Sequence, residues 1–265
     1  MLKNVKKNLR KIYREILAQK KSSGEMVHRL ANFILPDGDY SFAIMPSQPW
    51  QYVQTCVEKE LYRFIPVLPL DKTINFVIVG AYTGDEVPRI TANNKNLDIN
   101  FFLYECDPDR LKELRKNFLN NPKIKIRAEA VGDKIGACEF YQTSLIGSAS
   151  CLPLAVNRFT KTQLIENTGK INVEETTLDN DFLNSAIDIL WIDVQGFEMN
   201  VLLGATEKLK SIRAVFIEVQ HNKSFYEGGT TFEDVDAFLK KNEFSLMLLG
   251  IDPATRQGNA LYVKI

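Results

Sequence analysis

Four short polar segments each follow an apolar stretch of this sequence and carry residue types that bind ligands or move protons. They are GAYTG (80–84), ECDP (105–108), DVQGFE (193–198) and EVQH (218–221). In an open parallel α/β sheet, ligands bind at the carboxyl ends of the strands. The occurrence of all four segments at such positions predicts one shared ligand site, and it carries more weight than any single segment.

The first segment is similar to a nucleotide-binding turn but departs from it in two ways. Gly80 and Gly84 have GxxxG spacing rather than the GxGxxG spacing that seats a dinucleotide, so a dinucleotide cofactor is disfavoured. Ile78 stands where an acid usually precedes the first glycine. Taken alone, the loop could be an ordinary strand-to-helix turn. Glu105, however, follows 25 residues after Gly80, close to the ~20-residue offset of a ribose-binding acid, and this favours an adenosine ligand.

The order of the apolar stretches predicts the fold that positions these segments. Helices are expected after most strands, including one from Gly196 to Lys210 and one capped by Thr230. Strands that alternate with helices form right-handed βαβ units and a mostly parallel sheet, and the short connection between the last two strands indicates an antiparallel edge. The predicted strands cover residues 74–80, 101–105, 123–131, 137–142, 187–193, 214–219, 244–249 and 260–264.

The N-terminal part is predicted to be helical. Residues 1–21 carry eight Lys or Arg and one apolar stripe, the pattern of an amphipathic helix. It is expected to pack on its own domain or on a second subunit, with a membrane surface or an anionic partner as alternatives. Further helices are predicted over 24–34 and from Gln48 to Pro66. The chain therefore divides into a capping or dimerising region, 1–73, and an α/β domain, 74–265.

The composition excludes several classes of protein. The 265 residues are 45% hydrophobic and 25% charged with zero net charge, so no global field attracts nucleic acid. The four cysteines are widely separated, which predicts reduced thiols rather than a zinc or disulfide framework. No stretch reaches the ~18 apolar residues of a membrane span, and no secretion signal is recognisable, so a cytoplasmic protein is expected.

The sequence also resembles a known family. GAYTG, ECDP, GSAS (147–150), TTLDN (176–180), DILWIDVQGFEMNVLLGA (188–205) and FIEV (216–219) follow in order the pattern of FkbM-type S-adenosylmethionine-dependent methyltransferases. The resemblance covers roughly residues 74–264. It implies a class I, Rossmann-like methyltransferase fold with a mostly parallel seven-stranded sheet and an antiparallel edge, and S-adenosylmethionine as methyl donor. Ile78, Tyr82, Cys106 and Trp191 replace the Asp, Asn, Pro and Lys that are usual in the family.

Carried over by position, the resemblance implies a cofactor site and an acceptor site. Glu105 would bind the ribose, the segment 129–131 would lie beside the adenine, and Tyr82 would lie against the methionine moiety. Because Ile78 lacks the usual acid, Ile78→Asp is predicted to alter cofactor affinity without unfolding the strand. The implied cofactor contacts are Gly80, Ala81, Tyr82, Gly84, Glu105, Cys106, Asp107, Glu129, Ala130 and Asp193. The implied substrate contacts are Ser148, Ser150, Glu198 and His221.

Methyl transfer to a hydroxyl requires an in-line acceptor and a base that takes its proton. Asp193, Glu218 and His221 are the predicted catalytic residues, with Glu198 as a further base candidate. His221 could instead be a solvated loop residue, and Glu198 could simply be stabilised by the helix dipole. Asp193, Glu218 and His221 could also hold a divalent ion, but the usual acidic pair after the fifth strand is missing. No metal site is therefore predicted.

The leading functional hypothesis is an O-methyltransferase acting on a small polar hydroxyl compound. A nucleotide-activated sugar or a surface-glycan precursor is the expected acceptor, and a homo-oligomer through the N-terminal helices is considered. Neither nucleic acid nor an integral membrane position is expected. Two alternatives remain at this point: a cofactor-binding protein without catalysis, and an NAD-dependent or nucleotide-sugar enzyme.

Overall fold

The fold is built around one large sheet. The computed structural model describes residues 42–44, 57–59, 61–68, 73–155, 158–159, 164–252 and 255–264. In chain order the strands are β1 (Phe42–Ile44), β2 (Thr73–Val79), β3 (Asp98–Tyr104), β4 (Ile124–Arg127), β5 (Ala130–Val131), β6 (Gly136–Thr143), β7 (Arg158–Phe159), β8 (Leu164–Ile165), β9 (Asn167–Thr176), β10 (Ile189–Ile192), β11 (Ala214–Gln220), β12 (Phe244–Ile251) and β13 (Gln257–Lys264). The helices are α1 (Glu86–Asn93), α2 (Pro108–Asn117), α3 (Leu178–Asp181), α4 (Glu198–Leu203) and α5 (Phe232–Lys241), with 3₁₀ turns at Ile65–Val67 and Lys208–Lys210.

The large sheet has the strand order β1-β12-β13-β11-β10-β2-β3-β4. Strand β13 runs antiparallel to β11 and β12, whereas the remaining neighbours are parallel. The predicted mostly parallel sheet with an antiparallel strand pair is therefore confirmed. Strand β1 adds an eighth strand to the seven that were expected. From β2 the chain continues to β3 and β4 on one side and later to β10 and β11 on the other, so the order reverses between β2 and β10, where ligands bind in such sheets.

Alternating side chains of the central strands fill two cores, one on each face of the sheet. Val77 and Val79 belong to the core under α4 and α5. Phe76 and Ile78 belong to the opposite core, together with Trp191 of β10. Burial on both faces explains why these strands are continuous apolar runs in the sequence.

The helix boundaries follow local chemistry. Asp107 caps α2 by accepting hydrogen bonds from the backbone N–H groups of Asp109 and Arg110. Thr231, one residue later than predicted, caps α5 in a reciprocal capping box with Asp234. The predicted helix from Gly196 to Lys210 is wrong in length, because α4 ends before Gly204. A Cβ at Gly204 would lie 1.8 Å from the carbonyl oxygen of Gly132, so the chain turns where this close packing occurs.

A second, three-stranded sheet has the order β5-β9-β6. Strand β6 is the predicted excursion ACEFYQ, extended at both ends. Strand β9 was not predicted, because its outward residues are polar and only its last part is buried. The two strands pair antiparallel along almost the whole of β6. This small sheet carries the loop that becomes one wall of the cleft described below.

Residues 57–68 pack against the large sheet. Leu61 and Ile65 are fully buried in the same core as Phe76. The boundary proposed after residue 73 therefore does not separate two cores over this part of the chain. The helices predicted over 1–21 and 24–34 lie outside the described residues. Within the described ranges, no helix is long and apolar enough to cross a membrane.

The position of Ile78 changes what is expected of its substitution. Its side chain is completely buried in the core rather than at the sheet end. An aspartate there would bury a charge, so we expect Ile78→Asp to lower the unfolding free energy by several kcal/mol or prevent folding, whereas Ile78→Val should cost about 1 kcal/mol. Chemical denaturation of the two variants measures this. A stable Ile78→Asp protein would contradict the assignment of Ile78 to the core.

Candidate active site

The carboxyl ends of β2, β3 and β10 open into a cleft of about 840 Å³. This volume lies within the ~300–1,000 Å³ that is usual for small-molecule sites. Gly80, Glu105 and Asp193 line the cleft at these three strand ends. The loop that returns from the small sheet, between Gln142 and Cys151, lines the outer wall. The structure thus brings three of the four polar segments of the sequence together.

The loop after β2 is fixed by one close approach. Gly80 has φ +79°, and a Cβ there would lie 1.8 Å from the carbonyl oxygen of Asp193. The backbone N–H groups of Gly80 and Ala81 both donate to the carbonyl of Tyr104. Tyr82 also has a positive φ, 50°, and its ring lines the cleft. The loop is therefore bound to both neighbouring strands, and only glycine fits its first position.

Glu105 joins this loop to the end of β3. One carboxylate oxygen accepts from the N–H of Tyr82 at 2.8 Å and the other from the N–H of Asp107 at 2.7 Å. Burial raises the pKa of Glu105 to about 7, although these N–H groups lower it. Each oxygen retains a lone pair for a further donor, as a ribose-binding acid requires.

The remaining cofactor candidates divide into two groups. Cys106, Asp107, Glu129 and Ala130 line the cleft near Glu105, and Asp107 also caps α2. Ala81 and Gly84 do not line it. The side chain of Ala81 is buried in the core, and a Cβ at Gly84 would lie 2.3 Å from the ring of Phe118. Both residues shape the loop. The prediction that Ala81 and Gly84 contact the cofactor directly through their side-chain positions is therefore corrected.

Asp193 lies at the centre of a hydrogen-bonded network. The amide nitrogen of Gln195 donates to Oδ1 of Asp193 at 2.8 Å and to Oε2 of Glu218 at 2.7 Å. The hydroxyl of Tyr226 donates to the amide oxygen of Gln195 at 3.0 Å. Burial raises the pKa of Asp193, while hydrogen bonds to Gln195 and Glu218 lower it. Two buried carboxyl groups thus share one neutral amide, and Asp193 is the one that lines the cleft.

Two predicted catalytic or substrate residues lie away from the cleft lining. His221 follows the end of β11, and its Nδ1 lies 2.8 Å from Oε1 of Glu233 at a half-exposed position. Glu198 is buried behind the turn after β10, where Oε1 accepts from the N–H of Gly196 at 3.0 Å. Burial raises its pKa to about 7. Burial corrects the predicted direct contact of Glu198 with substrate, whereas the predicted role of His221 stays a prediction.

The two predicted serines have structural contacts. The hydroxyl of Ser148 donates to the carbonyl of Leu145, and Ser148 does not line the cleft. Ser150 does line it, but its hydroxyl donates to the carbonyl of Val194 at 3.3 Å and accepts from the N–H of Leu152. The prediction that the side chain of Ser148 contacts the substrate is thus corrected. Ser150 instead connects the wall of the cleft to the segment after Asp193.

Three cleft residues were not identified from the sequence. Glu86, the first residue of α1, lines the cleft beyond the glycine loop. Trp191 also lines it and packs on Phe216 with ring centroids 4.0 Å apart. Gln195, which bridges the two acids, has φ 56°. The sequence does contain signals for these residues, since Glu86 follows the second glycine of the loop closely and Gln195 lies inside DVQGFE.

The cleft is strongly acidic. Its described lining includes six carboxylates and one cationic side chain, Arg110, which lies 5.3 Å from the ring centroid of Tyr82. A dry site with this charge distribution favours a cationic ligand. Among the described residues, no group of three or more His, Cys, Asp or Glu side chains is arranged to hold a metal ion. The lining carboxylates are Glu86, Glu105, Asp107, Asp109, Glu129 and Asp193.

Comparison with known proteins identifies the family. Residues 79–246 match the Methyltransferase FkbM domain, which is more than half of the chain. The chain belongs to the FkbM methyltransferase family. The 2-O-methyltransferase NoeI of Sinorhizobium fredii (strain NBRC 101917 / NGR234) is 29% identical over 160 residues, which covers 57% of this chain and 64% of that protein. The matched part thus spans slightly less than two thirds of the length of NoeI.

One solved structure supports the fold. The FkbM methyltransferase from Methylobacillus flagellatus KT aligns with a TM-score of 0.50 and 14% identity, over 76% of this chain and 47% of that one. The magnesium protoporphyrin IX methyltransferase ChlM from Synechocystis PCC 6803, solved with bound S-adenosylmethionine, has a TM-score of 0.46 and 8% identity, over 82% and 79% of the two chains. The predicted family and its class I fold are confirmed, and S-adenosylmethionine is the cofactor that belongs to this family.

The residues of the cleft fit this cofactor. Gly80 lines the cleft, and its lack of a Cβ lets the glycine loop lie against Asp193. Glu105 also lines the cleft and has acceptor capacity for two hydroxyl groups. S-adenosylmethionine carries a sulfonium and an ammonium group, which suit the acidic lining. Glu105 would hold the ribose, while Asp193 and Glu86 lie beyond the glycine loop, where the cationic part would bind.

The buried carboxyl groups predict how stability depends on pH. Burial raises the pKa values of Glu105 and Glu198 from 4.5 to about 7, so the folded chain retains protons that the unfolded chain releases. Their stabilising contribution is complete below pH ~4.5 and is lost as the pH rises through ~7. Glu198→Gln keeps an acceptor for Gly196 without the charge. We therefore expect its melting temperature, relative to the unmodified protein, to rise between about pH 5 and pH 8. A constant difference would contradict the raised pKa of Glu198.

Proposed function

We propose that this protein is an S-adenosylmethionine-dependent O-methyltransferase in which Asp193 takes the proton of the acceptor hydroxyl. The observation that carries this proposal is the position of Asp193. It lines the cleft after β10 and lies in contact with a second buried acid through one amide. The cofactor supplies an already activated methyl group, so the chain must hold the acceptor oxygen in line and remove a proton.

The environment of Asp193 suits a base that works near neutral pH. Burial raises its pKa, which makes the carboxylate a stronger proton acceptor. Gln195 donates to Oδ1, and because Asp193 lines the cleft, a remaining lone pair of its carboxylate can accept from a hydroxyl group. Tyr226 fixes the amide of Gln195 by donating to its oxygen, and Glu218 accepts from the amide nitrogen. These three residues orient the base, and of them Gln195 also lines the cleft.

A sugar hydroxyl is the proposed acceptor, on a nucleotide-activated sugar or a glycan precursor. The name of the Sinorhizobium relative, a 2-O-methyltransferase, supports an oxygen acceptor. Gln142, Thr143 and Thr168 add polar side chains to the outer wall of the cleft. Such groups can hydrogen-bond several hydroxyls of one ligand. A divalent metal is not favoured, and metal independence and a cytoplasmic location stay predictions.

We also propose that residues 57–68 influence the cleft through the charge of Glu58. Glu58 is buried and lies 3.6 Å from Arg89 of α1. Its charge also acts on Glu86, as does that of Asp193. Residues 57–68 therefore help to set the electrostatic field at the Asp193 end of the cleft. Dimerisation through the residues before 42 stays a prediction.

Replacement of Asp193 tests the proposed base. Asp193→Asn keeps an acceptor for Gln195 but has no basicity, so we expect the methylation rate to fall by about 10²–10⁴-fold, with affinity for S-adenosylhomocysteine within a few-fold of normal. Transfer of a labelled methyl group and calorimetry measure the two effects. The matched control is His221→Ala, which should retain activity because His221 pairs with Glu233 outside the cleft lining. A fully active Asp193→Asn enzyme would exclude Asp193 as the base.

Glu86 is the proposed partner of the ammonium group of the cofactor. It lines the cleft, and the charges that act on it come from Arg89, Asp193 and Glu58. Arg89 contacts Oε1 at 3.1 Å, and a carboxylate has lone pairs for further donors. Ile78, at the position of the usual acid, is in the core and cannot take this role.

A ligand pair isolates this contact. We expect Glu86→Gln to weaken binding of S-adenosylhomocysteine by roughly tenfold, about 1.4 kcal/mol, because a charge-assisted contact is lost. The analogue of S-adenosylhomocysteine that lacks the amino group should bind the unmodified protein and Glu86→Gln equally. Calorimetry measures both affinities. Glu207→Gln, in an exposed i,i+3 pair with Lys210, is the control. An equal loss for both ligands would mean that Glu86 only shapes the loop.

A further inference from the structure

Three cysteines that are distant in the sequence meet at the wall of the cleft. The sulfur atoms of Cys138, on β6, and Cys151 lie 3.3 Å apart. Cys106, directly after Glu105, packs against the same apolar cluster as Cys138 and Cys151. All three are partly accessible free thiols. Cys106 and Cys151 line the cleft, so Cys151 is the centre of a row of thiols that begins at the cofactor site.

The backbone around the pair of Cys138 and Cys151 is well defined by hydrogen bonds. Tyr141 and Ser150 exchange two backbone bonds, of 2.7 and 3.1 Å, which hold the segment of Cys151 against β6. Cys138 itself is paired with Val173 of β9. The two sulfurs therefore face each other across neighbouring extended segments. They need to approach only from 3.3 Å to the ~2.05 Å of an S–S bond.

We propose that Cys138 and Cys151 form a disulfide by exchange with a small-molecule disulfide that enters through the cleft. The Cys151 thiolate attacks one sulfur of the small disulfide, which forms a mixed disulfide and releases one thiolate. Cys138 then attacks the sulfur of Cys151, which forms the internal bond and releases the second thiolate. The protein loses two protons and two electrons, and the small disulfide is reduced to two thiols.

The bond connects directly to the proposed reaction site. Cys151 is adjacent to Ser150, whose hydroxyl donates to the carbonyl of Val194, and Val194 follows Asp193. Movement of Cys151 toward Cys138 draws it away from Cys106 and displaces this part of the wall. Oxidation should therefore weaken cofactor binding. This consequence rests on the proposed function, whereas formation of the disulfide does not.

The neighbouring thiols keep the pair reduced under ordinary conditions. The hydrogen bond with Cys151 and burial raise the pKa of Cys138. The neighbouring Cys106 and burial raise the pKa of Cys151, although Cys138 lowers it. Little thiolate is present at neutral pH, and thiolate is the reacting form. The exchange thus requires an excess of oxidised small disulfide, in agreement with the transient disulfides of intracellular proteins.

Oxidised glutathione is the probe that tests this inference. The full chain is treated with it, and peptide mapping by mass spectrometry locates the disulfide, while calorimetry compares the affinity for S-adenosylhomocysteine before and after. We expect a Cys138–Cys151 bond and a loss of roughly tenfold in affinity, which dithiothreitol restores; tenfold corresponds to about 1.4 kcal/mol. Cys138→Ser should form no such bond and should retain the mixed disulfide on Cys151, because it lacks the thiol that resolves it. Cys151→Ser should form neither product and should keep under oxidation the affinity that it has before treatment. Glu207→Gln, in the exposed pair with Lys210, is the control and should respond like the unmodified protein.

The outcomes separate this inference from the proposed function. A Cys106–Cys151 bond, or persistent mixed disulfides without an internal bond, would overturn the assigned pair. A Cys138–Cys151 bond with unchanged affinity would overturn its effect on the cleft. If the reduced protein binds no S-adenosylhomocysteine at millimolar concentration, the proposed function fails as well, and the mapped disulfide alone then decides whether the exchange site exists.

Discussion

The close approach of Gly80 to Asp193 is the contact on which the rest of the site depends. A hydrogen atom occupies the space where a Cβ would lie 1.8 Å from the Asp193 carbonyl, so the ends of β2 and β10 come together. The same turn directs the N–H of Tyr82 to Glu105. The ribose acid and the proposed base are thereby positioned by one glycine. Neither acid could be placed so accurately by its own loop alone.

The site combines several buried acids, which by themselves oppose folding. Burial raises the pKa of Glu86, Glu105 and Glu198 to about 7, so the folded chain resists their ionisation. The neutral amide of Gln195 lets Asp193 and Glu218 lie close together by donating to both. A ligand that carries a sulfonium and an ammonium group offsets the remaining repulsion. The acidity that reduces the stability of the ligand-free protein is thus what selects a cationic cofactor.

The sequence predicts the site best where a strand end determines the position of a residue. Glu105 and Asp193 directly follow buried parallel strands, so their meeting at one sheet edge follows from topology. His221 also follows a strand, but the next residues turn it toward Glu233 on α5. Ser148 and Ser150 lie in a loop whose path depends on β9, and β9 has too few buried residues to be recognised from periodicity. The core position of Ile78 was not predicted, because aspartate was expected to be tolerated there, and the position of Glu86 at the cleft depends on how α1 packs.

The small sheet does more than form one wall of the cleft. Its returning loop contacts the segment after Asp193 through Ser150 and Val194, and the hydroxyl of Tyr226 donates both to the carbonyl of Ser148 and to the amide of Gln195. This wall of the cleft is therefore hydrogen-bonded to the residues that orient the proposed base. A shift of this wall, caused by acceptor binding or by a change at the thiols of Cys138 and Cys151, reaches Asp193 along a short path. Ser150 contacts Val194, and Val194 is adjacent to Asp193. Acceptor recognition and proton transfer are in this way parts of one connected structure.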